Sequence, residues 1–583
     1  MEMSSQVSEE VDLVIVGGGP TGLLCAVLAQ QTGLSVYIID EKPSTLQAGR
    51  ADGLNARTQQ YLEVAGALYE LRPKGIDCNT SSTFANGELQ SRQSTWWTSL
   101  EHCHHKNMLI VGQPEVEKVL LHQLQSEHPD NTTAIVRFGH RVKSVSEDIK
   151  GVTVTSDDAA GRDDSSSSSS IVTTRAKFAI GADGARSMVR QGLGIGFHGT
   201  QPEMVWAVLD TFVATDFPLC PEIISLQLGG QCRVLWIPRE RGMSRFYIRL
   251  LEGRVITQEA AEATIREHMA PYRVDFVRTE WFIKERVAST FVSGEDGRGR
   301  IFLAGDAAHC HSVNGAQGLN TGIADAFGLI WRIALACGKM KVGPGSNGDS
   351  MNRIAMIMKS YDTERRAVAQ NAVSLAAQLV RNTRHSAKQY VATIEKNAGY
   401  ITGEARVMPF DQITDKPNLV LGMGVAYDEM NSLLVVASER GIWKAGTRCP
   451  DLRLHPCFPY AKTVDDHRLY QVARRYGYGR FLVLVLGNKM NYAQAFRNRF
   501  GQAANVVNLM WRGLAWAIYA ATKGRSSAKH STCAIRRARG QRAYGSAEVE
   551  PSDSFTVVVR PDMYIGYVGD KEGVLAYMAK MLG

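Results

Sequence analysis

The 583-residue sequence is short of several things, and each shortage excludes something. Its ten cysteines are scattered and none forms Cys-x-x-Cys, so neither a disulfide scaffold nor dithiol chemistry is expected and a reducing compartment suits the chain better. No uninterrupted apolar run approaches a membrane span. The nearest, ANVVNLMWRGLAWAIYAAT from Ala504, carries Asn508 and Arg512 and reads as a buried amphipathic helix. The first residues lack a basic stretch followed by an apolar one, so a soluble, cytoplasmic protein is expected rather than a secreted one. Charge of one sign is also scarce: the net +8 is spread thinly, apart from KGRSSAKHSTCAIRRARGQR between Lys523 and Arg542. That run has almost no aromatic residues to stack on bases, so it reads as a solvated loop and no nucleic-acid partner is expected.

What is present belongs to an ordinary globular protein of two or three domains, with 44% hydrophobic and 21% charged residues. VDLVIV, from Val11, is a β-branched run that ends in glycines and leads into the apolar LLCAVLAQQ, the pattern of strand, tight turn and helix. Gly17, Gly19 and Gly22 make G-x-G-x-x-G across that turn, where glycine lets the backbone approach a pyrophosphate at a helix N-terminus. A second strand, SVYII, ends at Asp40, with Glu41 beside it, placed to bind an adenosine ribose. The fold class expected is α/β, with a Rossmann-type domain that binds a dinucleotide. The fingerprint alone does not separate FAD from NAD.

Further along, GVTVTS and IVTTRAKFAIGAD are alternating strands separated by the low-complexity DDAAGRDDSSSSSS, and a helix follows from Ala56. Strand-like patterns from Val205 to Leu251 and from Trp281 to Phe291 predict an antiparallel sheet, mainly within 200–295, inserted beside the nucleotide-binding part. Helical patterns then run to about Ala377. Beyond about residue 405 strands such as FLVLVLG alternate with helices, which predicts residues 405–583 as a separate α/β domain after a first unit of 1–404.

One stretch has two readings. IFLAGDAAHCHSVNGAQGLNTG, from Ile301, packs Asp306, His309, Cys310 and His311 into six residues and so raises a metal site, but its spacing matches no common zinc pattern. No metal is expected there, nor at the similar EHCHHKN around His102–His105, which reads as a surface or pocket loop.

Taken in order, the N-terminal glycines, FAIGADGARSMVR with Asp183 and Gly184, and IFLAGDAAH with Gly305 and Asp306 resemble the single-component flavoprotein aromatic hydroxylases. More narrowly the chain is similar to the phenol 2-monooxygenase branch, in AGRADGLNART, VGQPEVEKVLLHQL, IPRERGMSRFYIRL, AGTRCPDLRL and VVVRPDMYIGY. The resemblance implies that FAD is the cofactor. Asp306 would hold the ribityl chain with Gln113; Gly318, Leu319 and Asn320 would face the isoalloxazine; Arg50 and Arg57 would belong to the flavin and substrate loop, and His309 and His311 would support the flavin loop.

Asp52, Arg245 and Tyr247 are the implied catalytic residues. Arg245 and Tyr247, two apart on a strand, share a face. The implied reaction consumes NADPH and molecular oxygen to hydroxylate a phenolic small molecule through a flavin C4a-hydroperoxide. A base is needed because phenolate, unlike phenol, is nucleophilic at its ring carbons: Tyr247 would relay the proton to Asp52, and Arg245 would support the anion or a substrate carboxylate. The resemblance further implies a thioredoxin-like C-terminal domain and a homodimer. HSVNGAQG departs from the family's H-S-P-x-x-G-Q-G at Val313 and Ala316, which leaves a catalytically impaired flavin-binding protein as one alternative. A flavin-dependent halogenase is another, since RVLWIP matches part of that group's tryptophan motif without its first Trp. Residue patterns alone leave Asp52 a possible helix N-cap.

Overall fold

The computed structural model describes residues 6–7, 10–93, 104–105, 107–126, 134–158, 171–198, 206–218, 222–229, 231–249, 257–276, 280–282, 286–294, 298–310, 317–340, 350–383, 426–428, 430–441, 443–456, 467–487, 490–501, 503–512, 515–520, 531–536 and 554–583. Val313, Ala316, His311, His102, the serine run and the glycine-rich 343–348 fall outside them.

The first layer is a mixed sheet in the order His140–Glu147, Val152–Asp158, Val172–Gly181, Val11–Val16, Val36–Asp40, Ala134–Phe138. The last four of these strands run parallel, and Ile301–Leu303 joins the end of Val172–Gly181, also in parallel. The pairing brings three separate loops, those after Val16, Gly181 and Leu303, to one edge. Helices Pro20–Gln31 and Gln317–Ala336 pack on each other across this sheet, and their buried faces run into its core. Both read as apolar nearly all round, as befits helices enclosed on several sides.

The inserted sheet has the order Glu280–Phe282, Trp206–Thr211, Ser244–Arg249, Gln231–Pro238, Ile223–Leu228, Ser81–Ala85, Glu88–Gln93. Two of its strands come from residues 81–93, outside the expected range, because Ile223–Leu228 has a free edge to which Ser81–Ala85 pairs in parallel. One face, with Leu209, Trp236, Phe246 and Ile248, packs on helix Gln258–Met269 through Ala261, Ile265 and Met269. Alternation puts Asp210, Arg245 and Tyr247 on the opposite face.

The C-terminal part forms an eight-stranded sheet in which Phe481–Leu486 is an interior strand. Phe481, Val483 and Val485 join a core continuous with the first layer, whereas Leu482, Leu484 and Leu486 face a second core with Trp443 and Val557. Here one expectation fails. The run from Ala504 is two strands, Ala504–Arg512 and Ala515–Ala520, not a helix. The first pairs in parallel with Phe481–Leu486 and in antiparallel with the second. Val506 faces one core and Val507 the other. A strand covered on both sides reads as a continuous apolar run, so periodicity does not separate it from a helix. No helix among the described residues is long and apolar enough to cross a membrane.

Candidate active site

At the sheet edge the three fingerprint glycines are needed for three different reasons. Gly17 has a left-handed φ of 109°, and a Cβ there would lie 2.3 Å from the Ala182 carbonyl oxygen. A Cβ on Gly22 would lie 1.9 Å from the Gly17 carbonyl oxygen, so this glycine lets helix and turn touch. Gly19, by contrast, has nothing within 4 Å of its Cβ position, and it opens helix Pro20–Gln31 with no side-chain cap. That leaves an open, uncapped helix N-terminus, the setting for a pyrophosphate. Asp40 closes the turn: its Oδ2 accepts from Gly18 N at 2.5 Å and its Oδ1 from Lys42 N at 2.7 Å. Asp183 caps the next loop, with Oδ2 accepting from Met188 N and Val189 N at 2.7 and 3.1 Å, while its buried Oδ1 has no partner in the protein. Burial pushes the Asp183 carboxyl up from its ordinary value. An orphaned oxygen beside an open glycine turn is what a bound dinucleotide would complete.

The turn after Leu303 is held from behind. Asp325, fully buried on helix Gln317–Ala336, accepts from Gly305 N at 3.0 Å, pairs with His309 Nε2 at 2.7 Å, and takes Arg365 Nε at 2.7 Å. Burial alone would raise this carboxyl, but Arg365 and His309 outweigh it and bring it to about 2. His309 thus braces this turn through Asp325; no group of three or more potential metal ligands occurs among the described residues. Asp306 itself opens to solvent, although the protein around it raises its carboxyl, with His309 and Arg50 opposing. Asn320 ties the same helix to the loop in front: its Oδ1 accepts from Asn55 N at 3.1 Å and its Nδ2 donates to Gly53 O at 3.0 Å. Gly318 lies alongside Asp306, 3.9 Å from its Oδ1 at the Cβ position. Gln113 completes the frame through Ala51, whose N donates to Gln113 Oε1 at 3.3 Å and whose O accepts from Gln113 N at 2.9 Å.

Beside this frame Tyr247 donates its hydroxyl to Asp52, 3.1 Å from Oδ1 and 3.2 Å from Oδ2. Arg245 Nη1 lies 3.4 Å from Asp52 and donates to the carbonyl of Arg50, which is presented by a left-handed φ of 68°. Asp52 and Tyr247 are both buried. Burial first, and then the Asp52 charge, push the Tyr247 hydroxyl well up, so it stays protonated at neutral pH. Asp52 is not a helix cap; the helix Ala56–Ala65 is capped by Asn55, which accepts from Thr58 N at 2.8 Å.

A family described as the FAD binding domain matches residues 10–376. The chain belongs to that family. This FAD-binding chain is 27% identical over 635 aligned residues to the FAD-dependent monooxygenase ankC of Aspergillus thermomutatus, covering 97% of the chain and 96% of that protein. It is also 27% identical to the phenol 2-monooxygenase fsqG of Aspergillus fumigatus, over 84% of the chain and 78% of that protein. Its fold is shared with the flavin-dependent monooxygenase PieE, solved with FAD and substrate, at a TM-score of 0.70 and 20% identity over 98% of each chain. The glycine turn, the orphaned Asp183 oxygen and the Asp306 turn fit FAD.

The family's flavin frame does not gather every residue nominated for it. Glu41 is exposed and paired with Arg141 at 2.7 Å. Arg57 points away toward the C-terminal part, where it donates to Tyr470 Oη at 2.8 Å and the Asp562 carbonyl at 3.3 Å. His105, in the stretch read as a surface or pocket loop, is buried and paired with Glu63 at 2.8 Å. Burial, reinforced by Arg468, lowers its neighbour His104 to about 4. Conversely, Asp210 and Asp325 were not nominated. Each is a lone acid in an otherwise apolar segment, WAVLDT and GIADAFGLIW, and that signal was available.

Proposed function

We propose that the protein is an FAD-dependent monooxygenase that hydroxylates a phenolic small molecule, with NADPH and molecular oxygen as co-substrates. The observation that carries this reading is the buried Tyr247–Asp52 pair with Arg245, set against the loop that Asn320 ties to the Asp306 turn. FAD, when bound, would supply the oxygen-activating chemistry, with NADPH as the reductant. The turns at Gly17–Gly22 and Asp183 would hold its pyrophosphate, Asp40 its ribose, and Asp306 with Gln113 its ribityl chain.

The chain's own residues then handle the substrate proton. A phenol whose hydroxyl donates to Tyr247 Oη passes its proton along an existing line: Tyr247 already donates to Asp52, so one proton moves to the tyrosine as another moves to the carboxylate. The ring is left as the phenolate that reacts with an electrophile. Such a relay is typically worth about 100-fold to 10,000-fold. Arg245 stabilises the charge as it shifts. The relatives named as monooxygenases, phenol 2-monooxygenase fsqG among them, support the same reading. It goes with a cytoplasmic homodimer and a thioredoxin-like C-terminal domain from about residue 405.

The test is incubation of the holoenzyme with NADPH, labelled oxygen gas and a panel of phenols, followed by mass spectrometry. One labelled oxygen atom in a hydroxylated product is expected. NADPH oxidation that no phenol stimulates, with no labelled product, overturns the reading.

A further inference from the structure

Resting on that reading, we infer that Asp210 determines specificity as a positioning residue. By engaging the Arg245 guanidinium, it leaves the Tyr247–Asp52 pair offering hydrogen-bond acceptors, so the site selects a ring whose docking group is an uncharged donor and rejects one that docks through a carboxylate.

The register makes this arrangement. Asp210 and Arg245 are directly opposite each other on neighbouring antiparallel strands. Arg245 Nε and Nη2 meet the two Asp210 oxygens at 2.5 and 2.6 Å, a closed bidentate fork. Its Nη1 is directed at the Arg50 carbonyl, with Tyr247 Oη and Asp52 each at 3.4 Å. Arg239, the other guanidinium of the cluster, closes its own fork on Glu240 at 2.9 and 2.7 Å and reaches Asp210 at 3.3 Å. Arg245, which the resemblance offered to a substrate carboxylate, and Arg239 beside it are thus both directed into the protein.

Charge leads the same way. Among the buried side chains of this cluster two guanidiniums, Arg239 and Arg245, face three carboxylates, Asp52, Asp210 and Glu240. The Tyr247 hydrogen is committed to Asp52 and one lone pair of its oxygen accepts from Arg245 Nη1 at 3.4 Å, so the other lone pair is presented to a ligand. A phenolic O–H or an arylamine N–H satisfies it. A carboxylate would set acceptor against acceptor beside an excess of negative charge. Arg50 is exposed and set toward Asp306, outside this buried group.

The test uses three ligands that differ in docking group: phenol, aniline and benzoate, titrated into the oxidised holoenzyme while the flavin absorbance is followed. Phenol and aniline are expected to bind at least about tenfold more tightly than benzoate, the size of a single uncompensated charge contact at a partly buried site. In Asp210→Asn the freed Arg245 fork should shift the ratio toward benzoate by about tenfold or more, and Asp210→Glu should restore the original order. A merely structural role would weaken all three ligands together. Benzoate binding as tightly as phenol to the wild type, an unchanged ratio in Asp210→Asn, or no absorbance change with any of the three would each overturn the inference. If Asp210→Asn does not retain flavin, the wild-type series decides by itself. Labelled product is measured in parallel: the expected binding order without oxygenated product overturns the hydroxylation reading and leaves this inference standing.

Discussion

Among the buried arginine–carboxylate clusters of the described residues, two are built differently. One joins the N-terminal part to the C-terminal part. Glu364 lies between Arg332 at 2.6 Å and Arg560 at 2.7 and 2.8 Å, with Ser432 at 2.5 Å. Asp562 takes Arg560 at 2.5 Å and Trp331 Nε1 at 3.3 Å. Two guanidiniums meet two carboxylates there, and the hydrogen bonds close on one another. The other cluster, at Asp52, has an acid in excess and a tyrosine that keeps one lone pair on offer. Burying charge is costly unless it is matched, so the balanced cluster suits a joint between surfaces, while in the reading proposed above a ligand completes the unbalanced one. Between these two clusters the difference lies in charge balance rather than in burial.

The comparison would break most visibly at Tyr247. Tyr247→Phe should retain FAD and melting temperature but hydroxylate about 100-fold to 10,000-fold more slowly, with NADPH oxidation diverted to hydrogen peroxide. Phenols acidic enough to be ionised at the assay pH should be partly spared. Wild-type coupling with a neutral phenol would make Tyr247 a packing residue like those of the other cluster.

Glu364→Gln should do the reverse, costing about 3 to 5 kcal/mol of stability by leaving buried guanidiniums uncompensated. Denaturant unfolding of the holoenzyme measures this; a wild-type midpoint would remove the distinction. The same pair sets a pH dependence. Burial alone would raise Glu364, but Arg560 and Arg332 hold it down to about 2, against an ordinary 4.5. A depressed carboxyl stabilises the fold above its unfolded pKa, and that stability is lost as pH falls from about 4.5 toward 2. The wild type should therefore lose stability over that range more steeply than Glu364→Gln.

A smaller effect is expected at the cofactor. Asp306→Ala should weaken FAD binding by about 1.5 to 3 kcal/mol, the cost of a hydrogen bond to a charged group, read by flavin fluorescence on dilution. The smallest belongs to Glu41, whose exposed pair with Arg141 is of the kind that contributes little. Glu41→Ala should leave FAD affinity and melting temperature unchanged, and a loss comparable to that at Asp306 would return Glu41 to the cofactor site.

How much of this could be read beforehand depended on distance along the chain. The Rossmann turn was legible because Val11–Val16, the three glycines and Asp40 lie within 30 residues, and each has a local steric or hydrogen-bonding reason to be what it is. Arg245 and Tyr247 were legible as neighbours on one strand face, since alternation is a local rule. The run from Ala504 was misread because burial on both faces erases the period that distinguishes strand from helix. Arg57 was placed in the flavin and substrate loop by resemblance and Glu41 at the cofactor beside Asp40, yet their side chains point elsewhere.

The sequence by itself therefore determined the local elements and the chemical types available: a dinucleotide turn, a strand carrying arginine and tyrosine, and an acid in AGRADG. Tertiary structure alone decided which groups meet. Asp52 and Tyr247 are 195 positions apart, Asn55 and Asn320 265, and Arg560 and Glu364 196. Contacts over such separations depend on sheet register and interdomain packing, which no local propensity encodes. The same register sets Arg245 opposite Asp210, with which it makes a two-bond ion pair.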